Sequence, residues 1–289
     1  MFRGSRFPVG SLRQRSVVIV LLWLGVGPTW AETVRVGGSG GPLACIHLLA
    51  DEFKKAHPEA ELTVVGNLGS SGGIKAVLGG VLDVGLSSRP LKASELAHGV
   101  VGIEYARTPF VFAVGTQNKP AAGAITSREL IGIYRGDIKK WPDGRALRLV
   151  LRPEADSDTP VIRAMSMEMS EALASAHTRR GMILAATDQD SVASIEKVPG
   201  AIGTTTLAQI LCERRQLVAL ALDGITPTVN MLVAGKYPAV KPFFLVIGAQ
   251  PSPVTRRFTE FVQSEKAKEV LNQYGHWMGP FPKLRPAAD

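Results

Sequence analysis

The apolar positions switch between two spacings. Val34-Arg35-Val36 alternates, the mark of a short strand. Gly37–Gly41 (GGSGG) follows, and then Pro42 opens a helix to about His57, with Leu43, Ile46, Leu49 and Phe53 three or four apart on one face. Pro58 ends it, because the residue before a proline is disfavoured in helix. Leu62–Val65 is a second strand, Gly69–Gly73 (GSSGG) a loop, and Ile74–Leu78 a short helix. Leu82–Leu86 is a third strand, closing in Ser87–Pro90. Strand, loop, helix and strand in this order predict βαβ units and a mainly parallel sheet. Further strands are predicted at Phe110–Val114, Arg148–Leu151, Ala201–Gly203, Leu217–Leu222 and Phe243–Ile247. Helices are predicted at Thr126–Tyr134, capped by Thr126 or Ser127, from Pro160 to Ala174, and at Pro253–Val262 and Glu265–Gln273.

One device recurs. A strand delivers a small polar loop to a helix start at Gly37–Gly41, at Gly69–Gly73 and at Arg152–Thr159. Helix starts carry unpaired N–H groups and partial positive charge. Glycines let backbone approach a ligand, and serines add donors, so such loops are ready anion sites. In an open α/β sheet they gather at the carboxyl ends of the strands. Each loop taken singly is also explained by capping and turn chemistry. Arg152 adds a cation able to fork onto an oxyanion, or to pair with Glu154, Asp156 or Asp158.

The first residues read as a leader. Arg3, Arg6, Arg13 and Arg15 precede the apolar run Val17–Gly27, and Thr29-Trp30-Ala31 offers a small-residue cleavage site after Ala31. Residues 1–31 are therefore expected to be a signal peptide, directing the chain to the periplasm. The net charge of +8 falls to +4 without those four arginines, and no basic run is interleaved with aromatics, so a nucleic-acid partner is not expected. Five scattered histidines show no metal-ligand spacing. An exported chain can bridge Cys45 and Cys212, but Cys45 falls on the apolar side of a helix, which favours a buried thiol.

Two stretches fit the G-x-S-x-G pattern of a nucleophile turn, around Ser39 and Ser71, each between a strand and a helix. A nucleophile needs one serine and one positioned base. Two such turns, with only His177 and His276 downstream, read as glycine-rich turns. Ala76 after Lys75 excludes a P-loop.

GNLGSSGGIKAVLGGVLDVGLSSRPLKASEL (Gly66–Leu96) resembles the phosphate-binding proteins of bacterial phosphate ABC transporters. ITSRELIGIYRGDIKKWPDG (Ile125–Gly144), the segment Ala221–Ile247 and the ending Ser252–Gly275 resemble the same family, in the same order. The resemblance implies an α/β, two-lobed periplasmic-binding-protein fold of type II. Each lobe is a mainly parallel sheet flanked by helices, and the ligand cleft lies between them. Lobe one would comprise 32–114 and 223–289, and lobe two 115–222. The implied ligand set is Ser39, Gly40, Ser70, Ser71, Ser88, Arg152, Ser157 and Thr159, with no catalytic residue, metal or cofactor. The implied partners are phosphate or a similar oxyanion and the permease of an ABC transporter, for a monomeric protein. Two departures stand out. Ser88 occupies the position of the family's proton-accepting aspartate, and Asp158 replaces a glycine in a third loop one residue longer. A carboxylate beside an oxyanion repels it unless it turns away or is protonated. Two alternatives remain: a divergent binder or sensor of another anion or small organic acid, and a secreted serine hydrolase.

Overall fold

The computed structural model describes Met1, Phe2, Gly4 and residues 32–120 and 123–281. The chain divides into two units, Met1–Trp30 and Ala31–Asp289, and the second is described here. The leader expectation lies outside the described residues. Among the described residues, no helix is long and apolar enough to cross a membrane.

The chain opens with β1 (Glu32–Gly38), α1 (Gly40–Ala56), β2 (Ala60–Asn67), α2 (Gly69–Leu78) and β3 (Val84–Ser87), then α3 (Ala93–Ala97) and β4 (Val100–Gly115). The middle holds β5 (Ala124–Ile125), α4 (Ser127–Arg135), β6 (Arg148–Leu151), α5 (Asp158–Arg163), α6 (Met167–Thr178) and β7 (Ile183–Leu184). It continues with α7 (Asp188–Lys197), β8 (Ala201–Thr206), α8 (Leu207–Cys212), β9 (Leu217–Ala219), β10 (Ala221–Leu222) and α9 (Val229–Val233). The chain closes with β11 (Val240–Gly248), α10 (Pro253–Val262) and α11 (Glu265–Gln273).

The sheet order is β2-β1-β3-β11-β4-β8-β6-β7, with β9 also on β4. The two ends, β2-β1-β3 and β8-β6-β7, are parallel. The middle strands β11, β4 and β9 run antiparallel to their neighbours. β4 joins the halves. Its first part pairs with β11 from Val100 to Pro109, and its last part with β8 from Phe110 to Val114. The fold is thus α/β, with parallel βαβ units on either side of one shared strand. Each half has its own core. Val34, Ile46, Phe53, Leu245 and Phe258 pack in the first, and Phe110, Phe112, Leu130, Tyr134 and Leu173 in the second. Val111 and Ala113 face a separate cluster with Val150 and Ile195, the period-2 alternation of a strand covered on both faces. Tyr237 and Ala239 also pack in the second core.

Several features differ from the sequence reading, three of them near the site or its frame. GSSGG is the first turn of α2 rather than a loop. Gly69 takes φ +67°, and a Cβ on Gly73 would lie 2.8 Å from the Cα of Gly38, so only glycine lets α2 sit this close to β1. The helix expected from Pro160 breaks into α5 and α6, because the Ser166 hydroxyl accepts from Met169 N–H and starts a new helix. Cys45 and Cys212 form a disulfide between α1 and α8, with Cα atoms 5.4 Å apart. The buried-thiol expectation is therefore corrected: Cys45 is buried, but against the other sulfur.

Candidate functional site

Ser39, Ser70, Ser88, Arg152 and Asp188 follow β1, β2, β3, β6 and β7, all at carboxyl ends of strands. In the first half the backbone builds the arrangement. Gly38 takes φ +140°, and a Cβ there would lie 2.3 Å from the Leu86 carbonyl oxygen. Ser39 N–H donates to that carbonyl (2.9 Å), and Leu68 N–H donates to Gly38 O (2.8 Å). The turns after β1, β2 and β3 are thereby fixed to one another. The hydroxyls then join. Ser39 Oγ and Ser88 Oγ share a hydrogen bond of 2.7 Å, and Ser70 Oγ accepts from Ser88 N–H at 3.0 Å. All three serines are buried.

The second half brings charge. Arg152 is buried at 5% exposure. It donates through Nη1 to Ala185 O (2.7 Å) and through Nη2 to Asp156 Oδ2 (2.6 Å), while Nη2 also lies 3.8 Å from Asp188 Oδ2. Its Nε is buried without a hydrogen-bond partner among the described residues. Burial opposes the guanidinium charge, yet Asp188, Asp156 and Asp158 together raise its pKa. Asp158 is fully buried, ion-paired with Lys241 Nζ at 2.5 Å and accepting from Thr204 Oγ1 at 2.7 Å. Burial alone would raise its carboxyl; Lys241 and Arg152 outweigh burial and hold it below the usual carboxylate range. Asp156 goes the other way. Burial first and Asp158 next push it up to about 6, against the pull of Lys241 and Arg152.

The halves meet at Asp188. Its Oδ2 accepts from Gly40 N–H at 3.0 Å and from Asn67 Nδ2 at 3.3 Å. Beside it Gln189 accepts from Asn67 Nδ2 (2.8 Å) and donates to Gly40 O (3.3 Å) and Glu213 Oε1 (3.0 Å). An anionic oxygen thus already sits on the amide that opens α1, next to Arg152.

Of the expected ligand set, the structure gathers Ser39, Gly40, Ser70, Ser88 and Arg152. Ser157 and Thr159 lie at the start of α5 beside Asp158. Thr159 is buried, its hydroxyl donating to Pro153 O at 3.4 Å. Ser71 is not brought in. It is exposed and accepts from Arg89 Nη2 at 3.0 Å, while Arg89 is held by Glu95 at 2.7 Å. Neither Ser39 nor Ser71 pairs with an imidazole. His276 is fully buried, its Nδ1 3.1 Å from Leu271 O, and burial drives its pKa down to about 4. Asp158 is ion-paired with Lys241 and accepts from Thr204, so its charge is compensated within the protein. Arg152 makes the ion pair with Asp156 that its sequence position offered, and its Nη2 also lies 3.8 Å from Asp188 Oδ2.

Sequence reasoning missed Asp188, Asn67, Gln189 and Lys241. The one local signal was the capping box at α7, where the Thr187 hydroxyl accepts from Asp190 N–H and Asp190 accepts from Thr187 N–H. It marks a helix start near Asp188, but it says nothing of what that start faces.

Comparison with known proteins agrees with this fold. A profile of the PBP superfamily domain matches residues 26–266. The phosphate-binding protein PstS of Bacillus subtilis is 21% identical over 253 residues, covering 84% of this chain and 80% of its own length. Protein SphX of Synechococcus elongatus is 27% identical over 257 residues, covering 81% and 74%. A putative phosphate ABC transporter substrate-binding protein with bound phosphate from Clostridium perfringens superposes with a TM-score of 0.73 at 20% identity, over 86% of this chain and all of that one. With the profile matching most of its length, the chain belongs to the PBP superfamily.

Proposed function

We propose that the protein is an exported, periplasmic solute-binding protein. It captures an oxyanion, inorganic phosphate, between two lobes, and passes it as a monomer to the permease of an ABC transporter. It performs no chemistry. The lobes expected from the sequence are 32–114 with 223–289 and 115–222; the packing of Tyr237 and Ala239 on the second core supports a return crossing later than Leu222, near Val240. The observation that carries this reading is the convergence on one carboxylate oxygen. The Gly40 amide, the Asn67 side chain and Arg152, drawn from both halves, surround Asp188 Oδ2 as they would surround an oxyanion. The buried hydroxyls of Ser39, Ser70 and Ser88 stand behind the Gly40 amide, and the unpartnered Arg152 Nε is a donor an anion would satisfy. Charge-assisted bonds of ~1.5–3 kcal/mol each, in a handful, reach the ~8 kcal/mol of a micromolar complex after ordering costs.

Thermal melting tests the reading. Phosphate at saturating concentration raises the melting temperature by several degrees, sulfate at equal ionic strength does less, and Arg152→Ala loses the phosphate shift. Equal shifts with both anions in both proteins would remove the site. One observation favours a second reading, a binder of a small organic acid: the anion the cluster already holds is a carboxylate. Acetate and succinate in the same melts separate the two.

A further inference from the structure

Asp188 is a negative group that both halves of the cluster address. Gly40 and Asn67 from the first half, and Arg152 from the second, converge on a single oxygen of it. The fit is close. A Cβ added at Gly40 would lie 2.7 Å from Asp188 Oδ2, 2.5 Å from Gln189 Oε1 and 2.3 Å from Asn67 Nδ2. The space directly over the Gly40 Cα is filled while Asp188, Gln189 and Asn67 hold these positions. The charges lead to the same point. Lys241 is committed to Asp158, and one arm of Arg152 to Asp156. Two cations therefore face three carboxylates before any ligand enters, and a bound oxyanion beside an unmoved Asp188 would be repelled.

We propose that Asp188 is a resident counter-anion that sets the affinity of the cleft: an incoming oxyanion binds by displacing the Asp188 carboxylate from Gly40 N–H and Arg152. This rests on the oxyanion reading of the site. Asp188 is then a specificity-determining residue. A ligand must offer the Gly40 amide and Arg152 more than one carboxylate oxygen does, which a multi-oxygen anion such as phosphate achieves by also engaging Ser39 Oγ and Arg152 Nε. With Gln189, the same contact clasps the turn before α1 to the start of α7, so displacement also releases one tie between the halves.

The test is isothermal titration of inorganic phosphate into the full-length-expressed protein and into its Asp188→Asn and Asp188→Ser variants. Circular dichroism confirms their fold. Thr187 still caps α7 in both, and serine keeps a small hydrogen-bonding side chain without charge, so one variant serves if the other misfolds. Both remove the competing charge, and phosphate affinity is expected to rise at least tenfold over wild type. Unchanged affinity would overturn the proposal, since Asp188 would then not compete. Weaker binding would also overturn it, making Asp188 an acceptor for a protonated oxyanion. In both cases wild-type binding keeps the oxyanion reading intact. If neither wild type nor variants bind phosphate or sulfate, the oxyanion reading itself falls, and the proposal with it.

Discussion

The two sides of the cluster are built by opposite means. The first-half side is uncharged. Gly38, Ser39, Ser70 and Ser88 are held by backbone bonds and hydroxyls, and the positive φ of Gly38 with the bare Cα of Gly73 does what side chains cannot. The second-half side consists of charges balanced against one another: Arg152 with Asp156, Asp158 and Asp188, and Lys241 reaching Asp158 from β11. Neutral dipoles fixed by backbone cost little to bury once they are paired. Buried charges are tolerable only as a set, and removing one member leaves another stranded. Mutations on the charged side should therefore reach into stability, and those on the neutral side mainly into binding.

Lys241→Met is the strongest way to break that contrast. It leaves Asp158 ionised and buried without its partner, and should cost about 3–5 kcal/mol in denaturant unfolding. Adding Asp158→Asn should recover much of the loss. Full stability in the single variant would show that the pair matters little. Next comes the tie between α1 and α8. Cys45→Ala with Cys212→Ala opens a bridge spanning 167 residues and should lower stability by about 2–4 kcal/mol, as should reduction of the native protein.

The pH response separates the sides by sign. His276, buried in the first half, has its pKa lowered from 6.5 to about 4. The unfolded chain takes up the proton first, so stability tied to His276 is present above about pH 6.5 and is lost as pH falls toward about 4. Asp156, on the charged side, has its pKa raised from 3.8 to about 6. The folded state binds that proton more tightly, so its contribution rises as pH falls from about 6 toward 3.8. Unfolding measured from pH 7 to 4 should show the acid loss reduced in His276→Gln and enlarged in Asp156→Asn. Matching changes in the two variants would contradict the assignment. The smallest effects belong to the serines. Ser39→Ala should weaken phosphate binding several-fold, worth about 0.5–1.5 kcal/mol, whereas Ser71→Ala, whose hydroxyl faces Arg89, should leave it unchanged.

The neutral side was largely legible in the sequence, and the charged side was not. Ser39, Gly40, Ser70 and Ser88 sit at short junctions between elements whose spacing is plain. α10 and α11 also appear with the predicted bounds, because Ser252 and Ser264 cap amphipathic segments. What failed to show depends on contacts between distant segments. The helical start of α2 needs Gly38 beneath Gly73. β4 runs 16 residues although only Phe110–Val114 was read as strand, because Glu104 and Arg107 interrupt the apolar pattern and satisfy each other at 2.6 Å. Asp158 meets Lys241 from 83 residues away and Asp188 meets Gly40 from 148, and neither partner carries a local mark.

The most direct test of the central claim is isothermal titration of phosphate into the wild-type protein and its Arg152→Ala variant, with sulfate as control. The account expects saturable one-to-one heat with phosphate, little with sulfate, and at least a tenfold weaker phosphate affinity without Arg152. No saturable heat in the wild type, or an affinity that Arg152→Ala leaves unchanged, would contradict it.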